Sequence, residues 1–197
     1  MEKEGQAENK VVLIGEGSVG KTCIIAQFIE GKFREYITTT LNAEFCRKNF
    51  EFAGNKSITL DIWDTAGQEK FRSLNKIFYS NAKAVILVYD ITNKKTFDAI
   101  KNYWHGQILE NCYKGVIIAV AANKSDLFEE REVSNEEGEE FANSINAIFS
   151  STSAKNNSGI TNLFESIAMK MLDSNYFLNE NDNINLKDTK KNKKKCC

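Results

Sequence analysis

Short, wholly apolar runs alternate along this chain with stretches whose apolar residues recur at helical spacing. Residues 11–14 (VVLI), 84–89 (AVILVY) and 116–121 (VIIAVA) read as strands covered on both faces. Residues 43–52 and 57–63 read as two further strands. They are joined by Ala53-Gly54-Asn55-Lys56, whose Gly-Asn pair suits a hairpin. In the second of them Ile58, Leu60 and Ile62 alternate with Thr59, Asp61 and Trp63. Between the buried runs, Phe97, Ile100, Trp104 and Ile108 predict a single helix over residues 95–111. Helical character also follows Thr22 to about residue 32. It returns near residues 135–145 and 159–172, with a short strand at 147–150. Residues 33–42 are polar, Thr-rich and without periodicity, as an exposed loop would be.

Alternating β and α elements predict an α/β fold. We expect one doubly wound, mainly parallel sheet of about six strands, one of them antiparallel, with helices on both faces. Such sheets bind ligands at the carboxyl ends of their strands, and the polar motifs described below all fall at those ends.

The 197 residues suffice for one well-buried domain and not comfortably for two. With 42% hydrophobic and 27% charged residues the chain belongs to the globular class. The net charge of −1 favours no nucleic acid, but its distribution is uneven. Residues 176–197 carry Lys187, Lys190, Lys191, Lys193, Lys194 and Lys195 against Glu180, Asp182 and Asp188. We expect residues 1–9 to form a polar extension, 10–175 the folded domain, and 176–197 a disordered basic tail. The polar N-terminus carries no secretory pattern, and no apolar run approaches the ~18 residues of a membrane span. Cys23, Cys46 and Cys112 lack metal spacing and read as reduced thiols of a cytosolic protein.

The sharpest motif follows the first strand. Gly15-Glu16-Gly17-Ser18-Val19-Gly20-Lys21-Thr22 opens directly into a helix beginning near Cys23. Strand, G-x-x-x-x-G-K-T and helix together define a phosphate-binding P-loop. Gly15, Gly17 and Gly20 permit the tight curl that gathers backbone N–H groups into an anion nest, and the helix N-terminus adds partial positive charge. Lys21 supplies a full charge for the β- and γ-phosphates, and the Thr22 hydroxyl is a hard ligand for Mg²⁺. A Gly-rich turn before an ordinary helix would require neither the lysine nor the threonine.

Further motifs close later strands. Asp64 is placed to hold Mg²⁺, usually through water, while Gly67 lets a backbone N–H approach a γ-phosphate and Gln68 can orient an attacking water. In Asn123-Lys124-Ser125-Asp126 the carboxylate of Asp126 matches the paired N–H donors on the guanine edge, which adenine lacks. Asn123 would tie loops together, and the Lys124 stem would cover one ring face. Ser153-Ala154-Lys155 offers the Ala154 N–H to the guanine oxygen.

GEGSVGKT, DTAGQE, NKSD and SAK, in this order and spacing, resemble the Ras superfamily of small GTPases over residues 10–175. The likeness is greatest to the Rab branch, through Ile62-Trp63, Lys70-Phe71-Arg72-Ser73-Leu74, Phe78-Tyr79-Ser80-Asn81-Ala82, Leu87-Val88-Tyr89-Asp90-Ile91-Thr92 and the terminal Cys196-Cys197. The resemblance implies a P-loop NTPase (G) domain and a Mg²⁺-dependent GTP/GDP switch. In it Thr40 ligands Mg²⁺ and touches the γ-phosphate, Phe33 packs on the guanine, and Phe45, Trp63 and Phe78 form an aromatic patch for effectors. For those three aromatics, core packing is the plain alternative. Thr39 stands where Ras proteins often carry proline, and Leu41-Asn42 replaces the usual Ile-Gly, which bears on effector choice. Thr38 stands two places before Thr40, so no arginine finger is supplied in cis.

The resemblance further implies an exchange factor, a GTPase-activating protein, effectors, and a GDP-dissociation inhibitor or prenylation escort as partners of a monomer. Cys196 and Cys197 look like Rab double geranylgeranylation sites on a basic tether, and two chains suffice for stable attachment. That places the protein on the cytoplasmic face of an endomembrane compartment, cycling with the cytosol, in vesicle trafficking. Two rivals are a constitutively GTP-bound adaptor, which Gln68 and Gly17 argue against, and a nucleotide kinase. A kinase needs an Arg-rich lid, whereas this chain has only Arg34, Arg47, Arg72 and Arg131.

Overall fold

The computed structural model describes residues 9–33, 35, 40, 43–65, 79 and 81–173. Six strands form one sheet: β1 (Lys10–Ile14), β2 (Glu44–Phe52), β3 (Lys56–Asp64), β4 (Ala84–Asp90), β5 (Ile117–Asn123) and β6 (Ile148–Ser151). Their order is β2-β3-β1-β4-β5-β6, and the β2–β3 pair alone is antiparallel. The predicted hairpin is present, closed by the Phe52–Lys56 pair, with Gly54 (φ 79°) and Asn55 (φ 58°) in the left-handed region their residue types tolerate.

Every residue of β4 and β5 is buried, as the apolar runs that make up all but their last residues require. Successive residues of β1 serve opposite faces. Val11 and Leu13 join one core with α1 (Lys21–Glu30) and a C-terminal helix, α5, over residues 160–173, where Phe28 stacks on Phe164 at 4.0 Å. Val12 and Ile14 join the second core, with α2 (Lys94–Ala99), α3 (His105–Asn111) and α4 (Asn135–Ser144). The expected doubly wound sheet with helices on both faces is therefore present. α4 begins at a capping box, in which the Ser134 hydroxyl accepts from Glu137 N–H and the Glu137 carboxylate accepts from Ser134 N–H.

Two expectations need correction. The helix predicted as continuous over residues 95–111 is broken by a π-helical turn at Ile100–Trp104, between α2 and α3. The apolar spacing of Phe97, Ile100, Trp104 and Ile108 is preserved on the buried face, which is why periodicity did not reveal the break. Several strands also end later than their apolar runs: β3, β4 and β5 close on Asp64, Asp90 and Asn123. These polar residues are held by the ladder itself, because Asp90 pairs in register with Asn123 and Glu44 with Asp64.

Candidate functional site

The loop from β1 to α1 is shaped by contacts at both ends. Gly15 has φ 149°, and a Cβ there would collide with the Val88 carbonyl oxygen of β4. Gly20 has φ 93°, and a Cβ there would collide with the Asn123 side-chain amide. Lys21 is 5% exposed and folds back over the loop, its Nζ donating to the carbonyl oxygens of Gly15 at 3.1 Å and Glu16 at 2.9 Å. Burial lowers its pKa to about 8, against the opposing pull of Asp64 and Glu16. The first turn of α1 holds no acidic residue. A buried cation beside a helix N-terminus is an arrangement that gains from an anion.

Three oxygens converge next to it. Thr22 Oγ1 donates to Asp64 Oδ2 at 2.5 Å and lies 2.8 Å from Thr40 Oγ1, which is itself 3.5 Å from Asp64 Oδ2. The other carboxylate oxygen, Asp64 Oδ1, is buried without a hydrogen-bond partner among the described residues. Burial pushes the Asp64 carboxyl above its ordinary range, with Thr22 and Lys21 pulling the other way. Two hydroxyls and a half-satisfied carboxylate form a hard oxygen set, and this fits Mg²⁺ completed by phosphate oxygens and water.

The neighbouring strand end carries the second cluster. Asn123 Nδ2 donates to the Val19 carbonyl oxygen at 2.8 Å, and Thr152 Oγ1 donates to Asn123 Oδ1 at 3.2 Å. Lys124, left-handed at φ 65°, pairs its Nζ with Asp90 Oδ2 at 2.6 Å. The Ser153 hydroxyl donates to Asp126 Oδ1 at 2.5 Å, which brings together the two loops that carry NKSD and SAK. Ala154 is buried, Lys155 is exposed, and Phe33 is 41% exposed.

Phe45, 49% exposed, lies 5.2 Å from the half-buried Trp63, over whose ring Lys10 Nζ sits at 5.0 Å. Gly67, Gln68, Phe78, Cys196 and Cys197 lie outside the described residues, as do residues 1–8 and the tail.

The matches to known proteins agree with this geometry. The Ras family model matches residues 10–173. This chain belongs to the Ras family, in its Rab branch. Ras-related protein Rab-21 of Bos taurus is 42% identical over 165 residues, 84% of this chain and 73% of that protein. Rab-22A of Homo sapiens is 40% identical over 164 residues, 83% of this chain and 84% of that protein. RabJ of Dictyostelium discoideum is 40% identical over 84% of this chain and 64% of its own length. The chain is accordingly a Rab-like small GTPase of vesicle trafficking that binds guanine nucleotide and hydrolyses GTP to GDP.

Three contacts of this Rab were not visible in its motifs. Asp90 holds Lys124 while its other oxygen accepts from Thr92 N–H and Oγ1 at 2.9 and 2.8 Å. Thr65 Oγ1 donates to the Leu13 carbonyl oxygen at 2.7 Å, joining the end of β3 to β1. Trp104 Nε1 donates to Glu16 Oε1 at 2.9 Å. The Tyr-Asp-Ile-Thr and Asp-Thr-Ala-Gly stretches contain Asp90, Thr92 and Thr65 without indicating the first two contacts; no local signal announces the third.

Proposed function

We propose that this Rab is a Mg²⁺-dependent GTP/GDP switch whose described site residues divide into a phosphate grip and a purine selector. The observation that carries this reading is the meeting of Thr22, Thr40 and Asp64 beside the buried Lys21. Residues 15–23 would cradle the phosphates, with Lys21 countering the β- and γ-charges. Thr22, Thr40 and, through water, Asp64 would hold Mg²⁺, which when bound neutralises charge on the β- and γ-phosphate oxygens. Asp126 would select guanine, held in line by Ser153 and by the Asn123–Val19 bond, with Lys124, Ala154, Lys155 and Phe33 around the base.

Gln68 would orient the attacking water, and the Gly67 N–H would meet the γ-phosphate. Loss of that phosphate releases Thr40 and Gly67, an order–disorder switch that effectors read at Phe45, Trp63 and Phe78. Without a finger in cis, turnover is expected on the order of 10⁻⁴ to 10⁻³ s⁻¹ until an activating protein engages. An exchange factor would reload GTP. Prenylated Cys196 and Cys197 would hold the monomer on the cytoplasmic face of an endomembrane compartment, with a GDP-dissociation inhibitor or escort returning it to the cytosol.

Competition for the Mg²⁺-loaded protein tests the selector. GTP should displace a fluorescent GDP where ATP does not, because ATP leaves the Asp126 carboxylate without paired donors. Equal displacement by both contradicts the reading.

A further inference from the structure

The π-helical turn at Ile100–Trp104 is closed by the His105 N–H donating to the Ile100 carbonyl oxygen, five residues back. Wide turns of this kind inside helices occur often at functional sites. Here the turn ends on Trp104, which is 1% exposed and fixed edge-on to Tyr103 at 5.0 Å. Its indole N–H is spent on Glu16, 88 residues away in sequence.

Glu16 is an awkward residue for its place. It is the second residue of the phosphate loop, its carbonyl oxygen accepts from Lys21 Nζ, and its carboxylate is near enough to bear on the Lys21 charge. An anion beside an anion cradle repels the ligand and competes with it for Lys21 and the loop N–H groups. Trp104 answers both effects. Its ring belongs to the second core, with Val12 and Ile14, so a Glu16 carboxylate bonded to it is anchored to that core.

We propose that Trp104, presented by the π turn, is a positioning residue that keeps the Glu16 carboxylate from competing with phosphate and thereby slows nucleotide release. This rests on the phosphate-loop reading above. The prediction is specific about charge: an unpinned carboxylate weakens the hold on nucleotide more than a missing one does.

Release of fluorescent GDP from the full chain in Mg²⁺ tests it. Trp104→Phe keeps an aromatic ring and removes the donor; it should speed release about tenfold, the worth of one hydrogen bond to a charged group. Glu16→Asp keeps the charge, shortens the reach and disturbs no core residue; it should speed release similarly, whereas Glu16→Ala, which removes the charge, should release several-fold more slowly than Glu16→Asp. In the Glu16→Ala background, Trp104→Phe should add nothing. Equal acceleration by Trp104→Phe in both backgrounds would mean that Trp104 acts through packing alone, and Glu16→Ala as fast as Glu16→Asp would mean that charge is irrelevant; either overturns the proposal. Wild type that holds GDP beside a Trp104→Phe variant with unaltered release overturns this inference alone. Wild type unable to hold GDP overturns the phosphate reading and this proposal with it.

Discussion

Asn123, the last residue of β5, donates its side-chain amide to the Val19 carbonyl oxygen inside the phosphate loop, 2.8 Å away. The same side chain packs where a Cβ on Gly20 would stand and accepts from Thr152. One side chain therefore joins the phosphate loop, the β5 end that leads to Asp126, and the loop after β6. Asn123→Ala leaves the Val19 carbonyl without this donor, which costs about 1–3 kcal/mol. Release of GDP should accelerate by about ten- to a hundredfold, since each 1.4 kcal/mol is a factor of ten. Stopped-flow dissociation of a fluorescent GDP measures this directly, and an unaltered rate would mean the contact is incidental.

Lys21 gives a pH dependence with a definite sign. Burial lowers its pKa to about 8 from an ordinary 10.5, so holding the charge costs the nucleotide-free fold on the order of 3 kcal/mol below pH 8. That penalty fades between pH 8 and 10.5, where the folded protein has released the proton and the unfolded chain has not. A phosphate ligand needs the proton back. Affinity for GDP should therefore hold up to about pH 7.5 and fall by up to about tenfold per pH unit above 8. Titration calorimetry at pH 7 and 9 checks it; equal affinities would show that Lys21 keeps its charge throughout.

Burial raises the Cys46 and Cys112 thiols from an ordinary 9.0 to about 11, and their folded-state pKa lies above the unfolded value. The stability they confer is whole below pH 9 and disappears as pH climbs through 11. Denaturant midpoints of the double variant Cys46→Ala, Cys112→Ala should fall less between pH 8.5 and 11 than those of wild type. Both thiols should also react slowly with alkylating reagents at pH 8.

Gln68→Leu removes an amide from beside the proposed water and leaves every phosphate contact in place. It should bind GTP as wild type does and fail to respond to an activating protein. Single-turnover hydrolysis with and without the activator of a related Rab decides. Stimulated hydrolysis at the wild-type rate removes Gln68 from the mechanism.

Much of the fold was legible because it is written in local pattern. The unbroken apolar runs of β4 and β5 mean burial on both faces, and the strand, loop and helix around Lys21 declare themselves within a dozen residues. The π turn was not legible, since Phe97, Ile100, Trp104 and Ile108 keep helical spacing through it. Pairings such as Lys124 with Asp90 and Trp104 with Glu16 join residues far apart in sequence, and only the sheet order brings them together. Polar residues rarely extend a buried strand, so the apolar runs alone place the ends of β3, β4 and β5 too early. Asp64, Asp90 and Asn123 do so here, and that rigid seating is what points them at one site.

Hydrogen exchange measured with GDP and with a non-hydrolysable GTP mimic, both in Mg²⁺, addresses the switch itself. The account predicts that amides around Thr40 and Gly67 exchange markedly more slowly with the GTP mimic, while β4 and β5 exchange equally in both states. Identical exchange around Thr40 and Gly67 with the two nucleotides would contradict it.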